Sequence, residues 1–185
     1  MKQKRRSLLL VTAAALAGAA GPLVAAPDAK GPRQLRWDDL MPKGWNPLDE
    51  YRKANPMLEG DSPEGMQAMR DIWDNAPTLK TLDGQSVKLP GYVVPLDASP
   101  DSMREFLLVP YFGACIHSPP PPANQIVYVV PASPAKGLRA MEVVWVTGVM
   151  SSKRGDSVMG ASGYRIDRAT IEPYERKKAD KPAEK

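Results

Sequence analysis

Cysteine and histidine are nearly absent from this chain, which has one of each among its 185 residues. A single cysteine cannot form an internal disulfide, and one thiol with one imidazole falls short of the four ligands of a closed zinc site. Aromatic residues make up 6% of the sequence, which is too few for a surface that stacks nucleic-acid bases. These shortages exclude a disulfide-rich scaffold and argue against a nucleic-acid partner.

Long apolar runs are also missing, apart from one stretch between residue 7 and about residue 21. Four basic residues precede this stretch and small residues follow it, which is the order found in a cleaved signal peptide. We expect cleavage after Ala25, so that residues 1–25 are removed and the mature protein is periplasmic. Because no cysteine lies near the cut and no later segment reaches spanning length, we predict neither a lipid anchor nor a membrane span. The Arg5-Arg6 pair leaves general and twin-arginine export both open.

An excess of charge of either sign is lacking in the predicted mature chain. The net charge of +4 equals the four basic residues of the signal peptide, which has no acidic residue. A neutral chain does not provide the basic surface that binds a nucleic-acid backbone. Residues 175–185 hold five basic and three acidic residues, and we predict that they form a flexible charged tail.

Proline is abundant, with 20 residues scattered at the ends of segments, which favours a loop-rich β protein over a helical bundle. For residues 26–77 we predict an N-terminal irregular arm with one short helix, from about Pro63 to Asn75. Met66, Met69 and Trp73 share one face of that helix. We interpret this methionine and tryptophan stripe as core packing.

Residues 78–174 contain five β-branched or aromatic runs, each bounded by proline, glycine or serine. These runs predict strands at residues 81–95, 105–109, 125–130, 142–149 and 164–171. The first is long and is interrupted by Pro90-Gly91, where we expect a bend or bulge. The pattern predicts a mainly β fold, a small five-stranded antiparallel barrel like that of oligonucleotide/oligosaccharide-binding (OB) domains, with a β-sandwich as the alternative.

The one thiol and the one imidazole stand two residues apart, at Cys115 and His117. In an extended segment, side chains at this spacing emerge on the same face, so both can point at one ligand. A thiolate and an imidazole suit zinc or copper, but other groups would have to complete the site. The candidates are Asp97, Asp101 and Glu105 for zinc, Met103 for copper(I), and Asn124 and Gln125 as outer partners.

Other interpretations of the pair remain open. Cys115 can be a small buried hydrophobe beside a His117 that bonds a loop carbonyl. The four prolines that follow would then be a rigid polyproline connector, made of Pro119, Pro120, Pro121 and Pro122. A thiol-dependent enzyme is least favoured, because two residues of one strand seldom give in-line proton transfer. A non-catalytic role is therefore preferred, and enzyme activity stays an open question.

The run Gly113–Gln125, which reads GACIHSPPPPANQ, resembles the signature of a bacterial family of exported proteins, DUF3299. Gly91–Asp97 and Phe106–Pro110 extend the similarity, which covers the chain from about residue 84 to residue 174. The resemblance implies genes that lie beside those of ABC transporter subunits, in some cases with genes for zinc supply.

We therefore expect a non-catalytic periplasmic accessory protein of a transport or metal-homeostasis system. Zinc or copper at Cys115 and His117 is the expected cofactor, and ABC transporter components or other envelope proteins are the expected partners. The alternative is a metal-free binding module, in which the same loop and the barrel face hold a protein partner or a small ligand.

Overall fold

A closed sheet of five strands forms the centre of the protein in its computed structural model, which describes residues 31–57, 62–97, 102–114 and 120–175. The strands are β1 (Arg33–Gln34), β2 (Ser86–Pro95), β3 (Phe106–Val109), β4 (Val127–Pro131), β5 (Val143–Ser151), β6 (Gly155–Ser157), β7 (Gly160–Ser162) and β8 (Tyr164–Pro173). The helices are α1 (Pro47–Ala54) and α2 (Pro63–Asp74), with 3-10 turns at Trp37–Leu40, Lys80–Leu82 and Ala123–Gln125. The predicted signal peptide and residues 176–185 of the predicted tail lie outside the described residues.

The barrel closes because β2 pairs with a different strand along each part of its length. Its first part, Ser86 to Tyr92, pairs antiparallel with β5, and its last part, Tyr92 to Pro95, pairs antiparallel with β3. β3 pairs with β4, β4 with β8, and β8 returns to β5. Within this circuit the pairing of β4 with β8 is parallel and the others are antiparallel. The prediction of a mainly β, five-stranded OB-like barrel is confirmed.

Gly91 lies directly before Tyr92, the residue at which the pairing of β2 with β5 ends and its pairing with β3 begins. A Cβ atom added to Gly91 would lie 2.7 Å from Leu108 Cγ and 2.8 Å from Trp37 Cζ2. The indole of Trp37 is fixed there because its Nε1 donates a hydrogen bond to Pro90 O at 2.8 Å. Only glycine permits this close approach of β2, β3 and the 3-10 turn of Trp37.

Inward-facing side chains of all five strands fill the barrel. Fully buried members include Val87, Leu89, Val93, Phe106, Leu108, Val127, Val129, Val146 and Ile166. Tyr164 closes one end, where its hydroxyl accepts a hydrogen bond from Leu79 N at 2.6 Å and donates one to Leu40 O at 2.7 Å. Burial raises the pKa of Tyr164 above its usual value. The tyrosine thereby ties the N-terminal arm to the barrel.

A second set of buried side chains lies on the opposite face of β2 and β3. We call it the outer cluster, and it consists of Val94, Leu107, Val109, Ala114 and Ile126. Side chains alternate between the two faces of a strand, so the apolar neighbours of inward residues point outward here. The outer cluster is therefore a satellite core, formed between the sheet and the segment that joins β3 to β4.

The N-terminal arm contains two helices rather than the predicted one. Asn46 caps α1 by accepting from Leu48 N at 2.9 Å, and Ser62 caps α2 by accepting from Gly65 N at 3.0 Å. Both helices have proline at the first turn. The Asn46-Pro47 start signal of α1 was present in the sequence, but its eight residues are too few for a clear apolar period. No helix in the described ranges is both long and apolar enough to cross a membrane.

The interpretation of the methionine and tryptophan stripe of α2 as core packing is wrong. Within α2 the one buried residue is Gly65, and Met66 is 47% exposed. Met69 and Trp73 are half-buried. The stripe lies outside the barrel, because the side chains of the barrel strands already fill its interior.

Replacing Tyr164 by Phe should lower the free energy of unfolding by about 1–3 kcal/mol, because Leu79 N–H and Leu40 C=O lose their partner. Because the folded state raises the pKa of Tyr164, the neutral hydroxyl adds to the free energy of unfolding at any pH below the unfolded-state pKa of about 10. This added stability is lost as the pH rises through the pKa of the folded state. Urea unfolding from pH 7 to pH 11 measures both effects. In Tyr164→Phe, the free energy of unfolding should fall less between pH 7 and pH 11 than it does in the wild type.

The matched control is Tyr51→Phe, since the buried Tyr51 hydroxyl has no hydrogen-bond partner in the described ranges. This variant should stay within about 0.5 kcal/mol of the wild type or be more stable. Equal losses in both variants would contradict the role given to Tyr164.

Candidate functional site

Cys115, His117 and Pro119 lie outside the described residues, and the structure describes the segments on either side of them. On one side, Ala114 is fully buried in the outer cluster. On the other, Pro120 lies beside the β6–β7 hairpin, where a Cβ added to Gly160 would be 3.4 Å from Pro120 Cβ. Both flanks therefore meet the outer side of the barrel.

Two methionines approach these flanks. Met141 and Met159 pack against the outer cluster, and the Gly113 N–H donates to Met141 Sδ at 3.3 Å. Met141 is held in the left-handed region with φ 61°, a conformation that costs free energy in a non-glycine residue. Met103, the methionine proposed from the sequence, is instead buried in the barrel core. A thioether is thus placed beside Gly113, two residues before Cys115, by Met141 and not by Met103.

The two described carboxylates proposed as zinc ligands, Asp97 and Glu105, accept hydrogen bonds from other groups. Asp97 Oδ2 accepts from Arg104 N at 2.9 Å, while its buried Oδ1 has no partner in the described ranges. Glu105 Oε2 accepts from the Tyr128 hydroxyl at 2.5 Å. Asp101 falls outside the described residues. Within the described ranges no three His, Cys, Asp or Glu side chains gather as a metal site would require.

Tyr128 belongs to a polar network on the outer side of β4 and β8. Burial, followed by the hydrogen bond to Glu105, raises the pKa of Tyr128 to about 12. The Arg165 guanidinium lies 4.7 Å from the Tyr128 ring centroid and pairs with Asp167 at 2.8 Å. The Tyr128 hydroxyl therefore stays protonated at neutral pH and donates its hydrogen bond to Glu105.

Asn124 and Gln125 attach the end of the proline run to the N-terminal arm. Asn124 Nδ2 donates to Pro77 O at 3.0 Å, and Gln125 Nε2 donates to Trp37 O at 3.0 Å and to Asn124 O at 3.1 Å. The fully buried Asn124 Oδ1 has no partner among the described groups. Both amides thus have a clear structural role.

The proline run itself is described from Pro120 onward. Pro120 is exposed and Pro121 is buried. Pro122 has φ −55° and ψ 149°, which lies near the polyproline II conformation. A proline of this geometry leads directly into the 3-10 turn that carries Asn124 and Gln125, so the segment enters β4 along a fixed path.

A second feature of this side was not predicted from the sequence. We call it the aromatic groove, a cavity of about 440 Å³ lined by Trp37, Pro90, Gly91, Tyr92, Pro110, Val143 and Tyr174. Tyr92 also contacts the exposed Phe112 ring edge-on, with 6.0 Å between centroids. Tyr174 stacks on Trp145 at 5.4 Å. The lining residues come from distant parts of the chain, and only the closure of the barrel brings them together.

Comparison with known proteins gives the family. The family model described as "Protein of unknown function (DUF3299)" matches residues 37–173. The chain belongs to the DUF3299 family. It is similar to the crystal structure of a DUF3299 family protein from Pseudomonas aeruginosa PAO1, with 38% identity and a TM-score of 0.61, covering 80% of this chain and 99% of that one. No curated protein matches the chain.

The family match begins at Trp37, well before the residue near 84 at which the resemblance was placed from the sequence. In this DUF3299 protein, Trp37 lines the aromatic groove and Gln125 bonds its carbonyl oxygen. The N-terminal arm therefore belongs to the family's common region and helps to build the outer side of the barrel.

Replacing Gln125 by Ala should reduce the stability of this DUF3299 protein by about 1–3 kcal/mol, since the carbonyls of Trp37 and Asn124 lose a buried donor. Gln67→Ala is the control, because Gln67 makes an exposed bond to Asp71 on α2. That variant should change stability by less than about 0.5 kcal/mol. Guanidinium unfolding compares the two, and equal effects would show that Gln125 does not anchor the arm.

Proposed function

We propose that this protein is an exported, non-catalytic accessory protein of the bacterial envelope that binds a soft transition-metal ion through Cys115 and His117. The observation that carries the proposal is the contact of Met141 Sδ with Gly113 N–H, at 3.3 Å. It places a thioether beside Gly113, which lies two residues before Cys115 and four before His117, the only thiol and the only imidazole of the chain. A thiolate, an imidazole and a thioether are a ligand set suited to copper(I).

The surroundings favour copper(I) over zinc. Zinc would need about four ligands from sulfur, nitrogen or oxygen, and the described carboxylates near this part of the chain already accept hydrogen bonds, Glu105 from Tyr128 and Asp97 from Arg104. Copper(I) accepts fewer and softer ligands. Met141, with Met159 against the same cluster, meets that requirement better than the carboxylates do.

Export and a transport role complete the proposal. The basic and apolar N-terminus has the order of a signal peptide, and a lone thiol in the periplasm is buried, paired with another molecule or bound to a metal. Metal binding protects such a thiol. ABC transporter components or other envelope proteins are the proposed partners, in a system that handles the metal.

Copper(I) titration under anaerobic conditions, in competition with a chromophoric chelator, tests the site. The wild type should bind one ion per chain, and Cys115→Ser should weaken binding by at least about 100-fold. Met141→Leu, which conserves volume, should weaken it by about tenfold. Met57→Leu is the control, because Met57 is 92% exposed and does not contact the outer cluster. Equal affinity of wild type and Cys115→Ser would refute the proposal.

The metal-free binding module is the second candidate, and the aromatic groove favours it. Among the described residues, its lining is aromatic and apolar, and such a surface can hold a ligand without a metal. Under this alternative, a chelator leaves both the melting temperature and ligand binding unchanged. A thiol-dependent enzyme is the third candidate. If iodoacetamide does not label Cys115 at neutral pH, the thiol is not activated and this candidate is excluded.

A further inference from the structure

The C-terminal half of β8 has a neighbouring strand on one side only. On that side it pairs antiparallel with β5 as far as Pro173. On the other side its pairing with β4 reaches only Ala169, because β4 itself ends at Pro131. Among the described strands, residues 170–173 therefore have a free edge, which we call the β8 edge.

Two hydrogen bonds show which backbone groups point out of this edge. Tyr174 N donates to Val143 O at 3.2 Å, so the even-numbered residues in this half of β8 bond to β5. Ala132 N donates to Ala169 O at 2.9 Å, so the odd-numbered residues face the opposite side. The two observations agree with the alternation of backbone groups along an antiparallel strand.

Three backbone groups consequently point out of the β8 edge. They are the N–H and the C=O of Ile171 and the C=O of Pro173, and none of them makes a hydrogen bond within the described ranges. Ile171 is half-buried, and backbone groups in such a position are normally paired. One donor and two acceptors in a row are the groups with which an added strand forms its ladder.

The β8 edge lines a cleft of about 680 Å³, which lies between β8 and the loop that follows β4. Val144, Leu138 and Ile171 form an apolar floor, since each belongs to the barrel core or packs against it. The volume is within the range of about 300–1,000 Å³ that is usual for ligand sites. The cleft thus offers both an apolar surface and unpaired backbone groups.

This combination favours a peptide over an acyl chain. An acyl chain would cover the floor but leave one N–H and two C=O groups desolvated without partners, which costs free energy for each group. An extended peptide pairs with all three groups and places every second side chain on the floor. Lys136 and Glu142 give the lining one charge of each sign, so an uncharged segment fits it best.

The edge also limits the length of the ligand. Residues 169–173 in an extended conformation span about 13 Å, which corresponds to a peptide of about five residues. The ladder stops at one end because Ala169 O is already bonded, and at the other because Pro173 has no N–H. An edge as short as this can hold one short strand without offering a long template for aggregation.

We propose that the β8 edge binds an extended, uncharged segment of a partner protein as an additional strand in this cleft. Ile171 N–H donates to a carbonyl of that segment, and the carbonyls of Ile171 and Pro173 accept from its N–H groups. Val144 and Leu138 contact the side chains that face the floor. The proposal does not depend on the metal site.

Amide hydrogen exchange followed by NMR tests this proposal, with the peptide acetyl-Thr-Val-Thr-Val-Thr-amide as the probe. In the free protein, the Ile171 amide should exchange at least about tenfold faster than those of Thr170 and Glu172, which face β5. Saturating peptide should slow the exchange of the Ile171 amide by at least about tenfold. The exchange of Thr170 and Glu172 should stay within about twofold of its value in the free protein.

A variant and its control test the same donor by calorimetry. Ile171→Pro removes the outward N–H and keeps the residues that bond β5, and proline is tolerated on a free strand edge. It should weaken peptide binding by at least about tenfold. Ile171→Val keeps the N–H and should bind within about twofold of the wild type. Circular dichroism verifies that both variants fold.

Modified peptides test the ladder on the wild-type protein. Methylating the amides of alternate residues blocks one edge of an extended peptide and leaves the other edge intact. One of the two alternate series should lose binding, and the other should keep it.

Several results would overturn the proposal. They are no slowing of Ile171 exchange at millimolar peptide, equal binding by both methylated series, and equal affinity of Ile171→Pro and Ile171→Val. Palmitate that shifts the Leu138 and Val144 resonances without slowing Ile171 exchange would assign the cleft to an acyl chain instead. Peptide binding that appears only after removal of residues 176–185 would assign the edge to the tail of the chain itself. Dimerisation lost in Ile171→Pro would assign it to a second copy.

Discussion

The close approach of β2 to β3 and to the Trp37 indole at Gly91 is the constraint on which the rest of the structure depends. Because glycine has no Cβ, β2 can pass close to β3 and Trp37 there, one residue before its pairing passes from β5 to β3. This change of partner closes the barrel. The same contact seats Trp37, which forms one wall of the aromatic groove and whose carbonyl holds Gln125. A single backbone position therefore links the core, the N-terminal arm and the outer side.

Barrel closure leaves an apolar outer surface on β2 and β3 that must be covered. Leu107 and Val109 alternate with inward residues and are nevertheless fully buried. The segment between β3 and β4 contributes Ala114 and Ile126 to this outer cluster, and Met141 and Met159 pack against it. The segment that carries the only thiol and imidazole is thus anchored at both described flanks to a packed surface. Such anchoring is what a metal site needs to hold its ligands in place.

The sequence was informative wherever a local signal and the tertiary structure agreed. β-branched runs located the five barrel strands, whereas the bulge expected at Pro90-Gly91 is not seen, since β2 pairs with β5 through both residues without a register shift. The proline and serine at the start of α2 located that helix. These features depend on backbone preference and on the alternation of side chains, which are local properties.

The failures came from contacts between distant residues. Met66 falls on the apolar face of a helix, but the filled barrel leaves it no interior to enter. Met103 is close to Cys115 in the chain and yet is buried in the core, while Met141 reaches Gly113 from a later loop. The aromatic groove brings together residues as far apart in the chain as Trp37 and Tyr174, and no local sequence pattern predicts such an arrangement.

X-ray absorption spectroscopy of the copper(I)-loaded protein is the most direct measurement of the proposed metal site. We predict a copper environment of sulfur and imidazole nitrogen, with one sulfur lost in Cys115→Ser and another in Met141→Leu. A spectrum with only oxygen and nitrogen neighbours, or one that neither substitution changes, would contradict the proposal.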